Sequence, residues 1–110
     1  KKNHKSQKLK QLGCEIIEIK TVNSKLNLKK IFTHLYKLKI SDLLVEAGGI
    51  LFADLIKKKL VDEIHLFKAP ITIGEQGIPV IEGNALKKIR KKLIETIKFE
   101  DNLYLKYEVN

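Results

Sequence analysis

The chain has 110 residues, 44% of them hydrophobic, and 22 Lys+Arg against 13 Asp+Glu give a net charge of +9. That length supports one small domain, and the apolar content excludes disorder as a global description. No apolar run approaches the roughly 20 residues needed to span a bilayer. The start, Lys1-Lys2-Asn3-His4-Lys5, has no apolar segment behind it and is not a secretory signal. The sequence holds no Met and reads as a piece of a longer protein. Its single cysteine, Cys14, makes neither an internal disulfide nor a structural metal site, which fits a reducing cytoplasm. The basic charge is lysine charge, since Arg90 is the only arginine. Base-edge readout leans on the arginine fork, so the composition speaks against sequence-specific nucleic-acid binding.

In chain order, Ser6 to Leu12 reads as a short helix closed by Gly13. Cys14 to Lys20 reads as a strand, and Thr21 to Ser24 as a polar connector. Asn27 is placed to cap a helix in which Leu28, Ile31, Phe32, Leu35 and Leu38 recur on one face. The unbroken apolar run Leu43-Leu44-Val45 ends in Glu46 and suits a central parallel strand. Ala47-Gly48-Gly49 then leads into a helix from Ile50 to Lys59, with Leu51, Phe52, Leu55 and Ile56 on its apolar face. Val61 to Ala69 reads as a second strand of a parallel βαβ unit, ended by Pro70. Ile71 to Asn84 is loop-rich. Alternation resumes over Leu93 to Glu100 and Leu103 to Val109, predicting a β-hairpin that turns at Asp101-Asn102.

The strand, acid, Gly-Gly, helix succession is the part that points to chemistry. Glycine lets a ligand approach the backbone, and a helix start offers free N–H groups and positive dipole to an anion. Glu46 sits at a strand end, where ligand crevices open in α/β sheets. Leu44-Val45-Glu46-Ala47-Gly48-Gly49 with Leu51, then Leu60-Val61-Asp62-Glu63-Ile64, Ala69-Pro70 and Ile73-Gly74, resemble the reductase domain of bacterial riboflavin-biosynthesis deaminase/reductases. The order of the flanking elements agrees with that family.

The resemblance implies an α/β, dihydrofolate-reductase-like mixed sheet, with a parallel body, helices on its faces and a C-terminal antiparallel β-hairpin. It implies hydride transfer from NADPH to the sugar carbon of 5-amino-6-(5-phosphoribosylamino)uracil. Carried over by position, Glu46 corresponds to a substrate-contacting acid. Gly48, Gly49, Ile50, Leu51, Phe52, Ala53 and Asp54 correspond to the cofactor loop. The family's reductase domain is longer, and neither its opening strands nor a His-x-Glu with Cys-x-x-Cys deaminase signature occurs here. The chain therefore reads as the C-terminal half of one reductase domain, of a homodimeric, cytoplasmic enzyme. A reductase of the same fold acting on another pterin-like or pyrimidine substrate is the alternative. A basic nucleic-acid-binding module is the reading from a different class.

Other residues carry plainer readings. Asp62 and Glu63 fit a helix-to-strand connector with local salt bridges better than a catalytic carboxylate pair. His65 fits a packed or interface residue. His4 and His34 have no partner at metal-ligand spacing, so no metal site is expected. Cys14 is read as a small buried residue. The terminal strand Leu103–Val109 is read as a sheet edge open to a second copy. Lysines cluster in the first ten residues, at Lys57-Lys58-Lys59, and over Lys87-Lys88-Ile89-Arg90-Lys91-Lys92. The last cluster is read first as a solvated face, and second as a rim that attracts phosphate.

Overall fold

A computed structural model describes residues 4–81 and 83–109. The chain divides into two compact units, Lys1–Leu43 and Leu44–Asn110.

In the first unit, α1 (His4–Gln11) ends as the sequence suggests. Gly13 takes a φ of +84°, its N–H bonds Lys10 O, and the Cys14 N–H bonds Leu9 O. Those two bonds satisfy carbonyls the last helical turn leaves open. The expected strand over Cys14–Lys20 is absent, because no ladder pairs with this segment among the described residues. Cys14 is exposed rather than buried for the same reason. The expected connector is itself structured: β1 (Thr21–Val22) pairs antiparallel with β2 (Lys25–Leu26). Asn23 and Ser24 both take positive φ, as the tightest hairpin turn requires. Asn27 caps α2 (Leu28–Lys37), its side chain accepting a 3.2 Å bond from the Lys30 N–H. Ile31, Phe32 and Leu35 lie half-buried on the apolar face of α2.

The second unit is built on α3 (Gly49–Lys57) and a three-stranded antiparallel sheet. Its strands are β3 (Glu63–Lys68), β4 (Lys91–Phe99) and β5 (Asn102–Val109), in the order β3-β5-β4. A one-turn helix, α4 (Ala85–Lys88), precedes β4. Ala53 and Ile56 of α3 and Ile64 of β3 form the core, against which Phe52, Val61, Ile81, Leu86, Ile89, Tyr107 and Val109 pack. Ile64 pairs with Tyr107 and Leu66 with Leu105, so one sheet face is apolar towards α3. The other face carries Glu63, His65, Phe67, Tyr104 and Lys106.

Five sequence expectations change here. Leu43–Glu46 forms no strand: Leu44 is 79% exposed, and no neighbour pairs with the run among the described residues. Every ladder among the described residues is antiparallel, because the strand that follows α3 finds its partner in the C-terminal hairpin. Leu103–Val109 is not an edge but the central strand, and β3 and β4 are the edges. The hairpin turns one residue earlier than expected, since Phe99 pairs with Asn102 and Glu100 takes a φ of +51°. A bulge at Ile94 also breaks the alternation of β4: Leu93 faces Tyr107, whereas Glu95 and Ile97 face Lys106 and Tyr104 on the opposite side.

Candidate functional site

The start of α3 holds most of the residues that the sequence singles out. Gly48 is the N-cap, with φ −70° and ψ 164°, a conformation open to any residue. It supplies no side chain to cap the helix. A Cβ placed on it would meet nothing within 4 Å. Neither backbone geometry nor packing therefore requires glycine at this position. The first helical bond here runs from the Phe52 N–H to Gly48 O, at 3.1 Å. The N–H groups of Gly49, Ile50 and Leu51 precede it and have no intrahelical acceptor. Ile50 and Leu51 expose their side chains beside these donors.

The remaining loop residues divide by burial. Ala53, 2% exposed, and the half-buried Phe52 turn into the core, so their side chains anchor the helix. Asp54 lies 3.8 Å from Lys58 Nζ one turn on, an i, i+4 ion pair. Glu46 is exposed, two residues before the cap, and no side-chain hydrogen bond or ion pair among the described residues holds it. An acid and three donors thus stand within one short segment, on a helix whose other face is fixed in the core. This arrangement suits an anionic ligand on the helix end and a polar group of a second molecule on the carboxylate.

One cluster was invisible in the sequence. On the sheet face away from α3, Glu63 Oε1 lies 2.9 Å from Lys106 Nζ, and His65 Nε2 lies 3.2 Å from Glu63 Oε2. The Tyr104 hydroxyl lies 2.8 Å from His65 Nδ1. A carboxylate only accepts, so in the neutral ring Nε2–H donates to Glu63 and Nδ1 accepts from Tyr104. Phe67 packs on Tyr104, with ring centroids 5.1 Å apart. The hydrogen bond from Lys106 holds the Glu63 carboxyl below its ordinary value, and Glu63 raises Lys106 in turn. Residues two apart on β3 meet residues two apart on β5 only once the register is known. His65 is exposed on the outer face of β3, and Glu63 lies in the strand itself, its ion pair with Lys106 reaching across to β5 where a local pair in a connector was expected. Its neighbour Asp62 holds the sheet through its backbone carbonyl, which accepts from the Val109 N–H at 2.9 Å. His34 Nε2 is buried on α2 with no partner among the described residues. No group of three or more His, Cys, Asp and Glu among the described residues is arranged to hold a metal. None of the helices among the described residues is long and apolar enough to cross a membrane.

A helix laid on a hairpin-backed sheet, with its N-terminus open, defines a mixed α/β fold of the dihydrofolate-reductase-like type. Solved structures agree. The chain is similar to a pyrimidine reductase-like protein from Corynebacterium diphtheriae, with a TM-score of 0.79 at 23% identity, over 96% of this chain and 43% of that one. Acinetobacter baumannii RibD gives a TM-score of 0.75 at 23% identity, over 94% of this chain and 29% of that one. The RibD C-terminal domain family matches residues 1–105, and the chain belongs to that family. Two relatives come from Aquifex aeolicus. Its riboflavin biosynthesis protein RibD is 35% identical over 103 residues, covering 88% of this chain and 27% of the relative. Its 2,5-diamino-6-ribosylamino-4(3H)-pyrimidinone 5′-phosphate reductase is 30% identical over 88 residues, covering 79% of this chain and 38% of the relative. The chain thus spans well under half the length of these curated relatives.

Proposed function

We propose that this chain is the C-terminal portion of a reductase domain in riboflavin biosynthesis, one that reduces the sugar carbon of 5-amino-6-(5-phosphoribosylamino)uracil with NADPH. The observation that carries this reading is Gly48. The fold does not need glycine there, since a Cβ would meet nothing within 4 Å, and the helix that it caps begins with three N–H donors that have no intrahelical acceptor. Backbone access to a phosphate is the use that remains. The N–H groups of Gly49, Ile50 and Leu51 would hold the cofactor's phosphates, with the α3 dipole adding to their pull. NADPH, when bound, supplies the hydride, and the protein's part is to orient and shield the reacting groups. Glu46 would accept hydrogen bonds from the substrate and fix its position against the helix end. The family membership and the names of both Aquifex relatives support the reaction class. The same reading carries a homodimer in the cytoplasm. With β5 central, the dimer rests on the exposed edges β3 and β4 and on the family association.

Gly48→Val and Glu46→Gln in the full-length protein separate the two roles. Gly48→Val is expected to weaken NADPH binding roughly tenfold or more with an unchanged melting temperature, because valine adopts this backbone conformation without strain. Glu46→Gln is expected to leave NADPH affinity alone and to lower kcat/KM roughly tenfold, the size of one hydrogen bond to a charged group. Unaltered cofactor affinity in a folded Gly48→Val variant would overturn the cofactor assignment. Sedimentation at micromolar concentration that finds only monomer would overturn the dimer.

A further inference from the structure

Two lysine clusters that lie apart in the sequence converge on one cavity of about 800 Å³. It opens at the C-terminal end of α3, away from Gly48, along a nine-residue helix that is ~13 Å long. Lys57, Lys59, Lys88 and Arg90 line it, with Asp62 as the one carboxylate among its described lining residues. None of these five side chains takes part in a hydrogen bond or ion pair among the described residues. Their neighbours contrast with them: Lys58 pairs with Asp54, and Lys91 bonds Leu86 O at 2.9 Å and lies over the Tyr107 ring. The floor is apolar, made by Ile56, Val61, Ile89 and Val109. A helix C-terminus attracts a cation, but its partial charge of roughly half an electron accounts for one lysine, not for four free cations around a hollow.

We infer that this cavity is a second ligand site, for a small phosphorylated molecule with an apolar or planar body. Its phosphate takes the place of the missing counter-charge on Lys57, Lys59, Lys88 and Arg90, and its body covers the apolar floor. Arg90 gives the paired donors that phosphate geometry favours, and the lysines add point charge. The site is independent of the cofactor assignment, because it uses none of residues 46 to 54.

The test titrates the full-length protein with 1-naphthyl phosphate, in the absence and presence of saturating NADPH. Parallel titrations use 1-naphthol, inorganic phosphate and a single-stranded oligonucleotide. Saturable binding of 1-naphthyl phosphate is expected, tighter than either half-probe and undiminished by NADPH. Lys88→Gln/Arg90→Gln is expected to weaken it roughly tenfold, and Asp62→Asn to tighten it, since one removes attraction and the other repulsion. Both variants replace exposed side chains that have no partner among the described residues, so folding is expected to be retained. Three results would overturn the site: no saturable binding, affinity indifferent to the double variant, or full displacement by NADPH. An oligonucleotide that displaces the probe and loses affinity in the same variant would replace the small ligand with nucleic acid.

Discussion

Leu43-Leu44-Val45-Glu46 and Leu103–Val109 are both apolar enough to be strands, and only the second is one. The difference lies in their neighbours. β5 is held from both sides, by β4 across a two-residue turn and by β3 through six residue pairs. The first partner is local, and a hairpin closes with little loss of chain entropy. The Leu43–Glu46 run meets no such partner among the described residues, and it has no turn that would bring one. A parallel strand depends on distant chain for every hydrogen bond it makes. Apolar content therefore marks a segment that can be buried, while pairing decides whether it becomes a strand.

The widest test of this contrast sets Ile64→Ala against Leu44→Ala in the 110-residue chain. Ile64 is 5% exposed, touches α3 and pairs with Tyr107, so its truncation is expected to cost about 2–5 kcal/mol. Against a typical domain stability of about 5–15 kcal/mol, that removes much of the margin. Leu44→Ala is expected to stay within about 0.5 kcal/mol, as for an exposed side chain. Urea unfolding of both variants measures the difference. Equal costs would break the comparison, because Leu44 would then be buried against a neighbour of its own.

The same contrast explains how far the sequence could be read. Helices announced themselves through local signals: the Asn27 cap, the Gly13 stop and the apolar face of Leu51, Phe52, Leu55 and Ile56. The ends of α2 and α3 were less legible, because Lys39 and Lys59 take positive φ where glycine would be the visible signal. The small β1–β2 hairpin turned on Asn23-Ser24, a pair that reads equally well as a polar connector. In β4 the alternation was real but broken by one extra residue, and nothing in Leu93-Ile94-Glu95 marks which residue bulges. The site divided in the same manner. Gly48 and Gly49 stand out in the sequence because an apolar run, two glycines and a helix are contiguous there, although the run itself forms no strand. The Glu63–His65–Tyr104–Lys106 cluster and the cavity between Lys57 and Arg90 needed a long-range register that no local pattern contains.

A smaller effect sharpens the comparison at the turn that makes β5 independent of distant partners. Glu100 takes a φ of +51° in that turn, where a side chain meets its own backbone. Glu100→Gly is expected to raise stability by about 0.5–1 kcal/mol, read as a higher urea midpoint, since glycine adopts positive φ freely. No equivalent gain is expected from Leu44→Gly, because Leu44 does not take positive φ. Loss of stability in Glu100→Gly would mean that the turn is held by its side chain and not by its backbone.

The smallest expected effect concerns the ion pair that ties β3 to β5. Glu63 is held below its ordinary value of 4.5, chiefly by the hydrogen bond from Lys106. A carboxyl lowered by folding adds stability above its unfolded value and loses it as pH falls through the folded one. Lys106 is raised above its ordinary value of 10.5, chiefly by the hydrogen bond to Glu63. It adds stability below that value and loses it as pH rises through the folded one. The pair therefore supports the β3–β5 ladder across the whole interval between the two, and at neither extreme. Both groups face solvent, so the support is modest and shrinks with added salt. Urea midpoints of the native chain and of Glu63→Gln are expected to differ at neutral pH in low salt, and to converge well below 4.5 and well above 10.5. The same convergence at neutral pH in high salt would identify the contribution as electrostatic. A gap that persists unchanged through acid would assign it to packing of the Glu63 side chain, and the paired strand would then owe nothing to its charges.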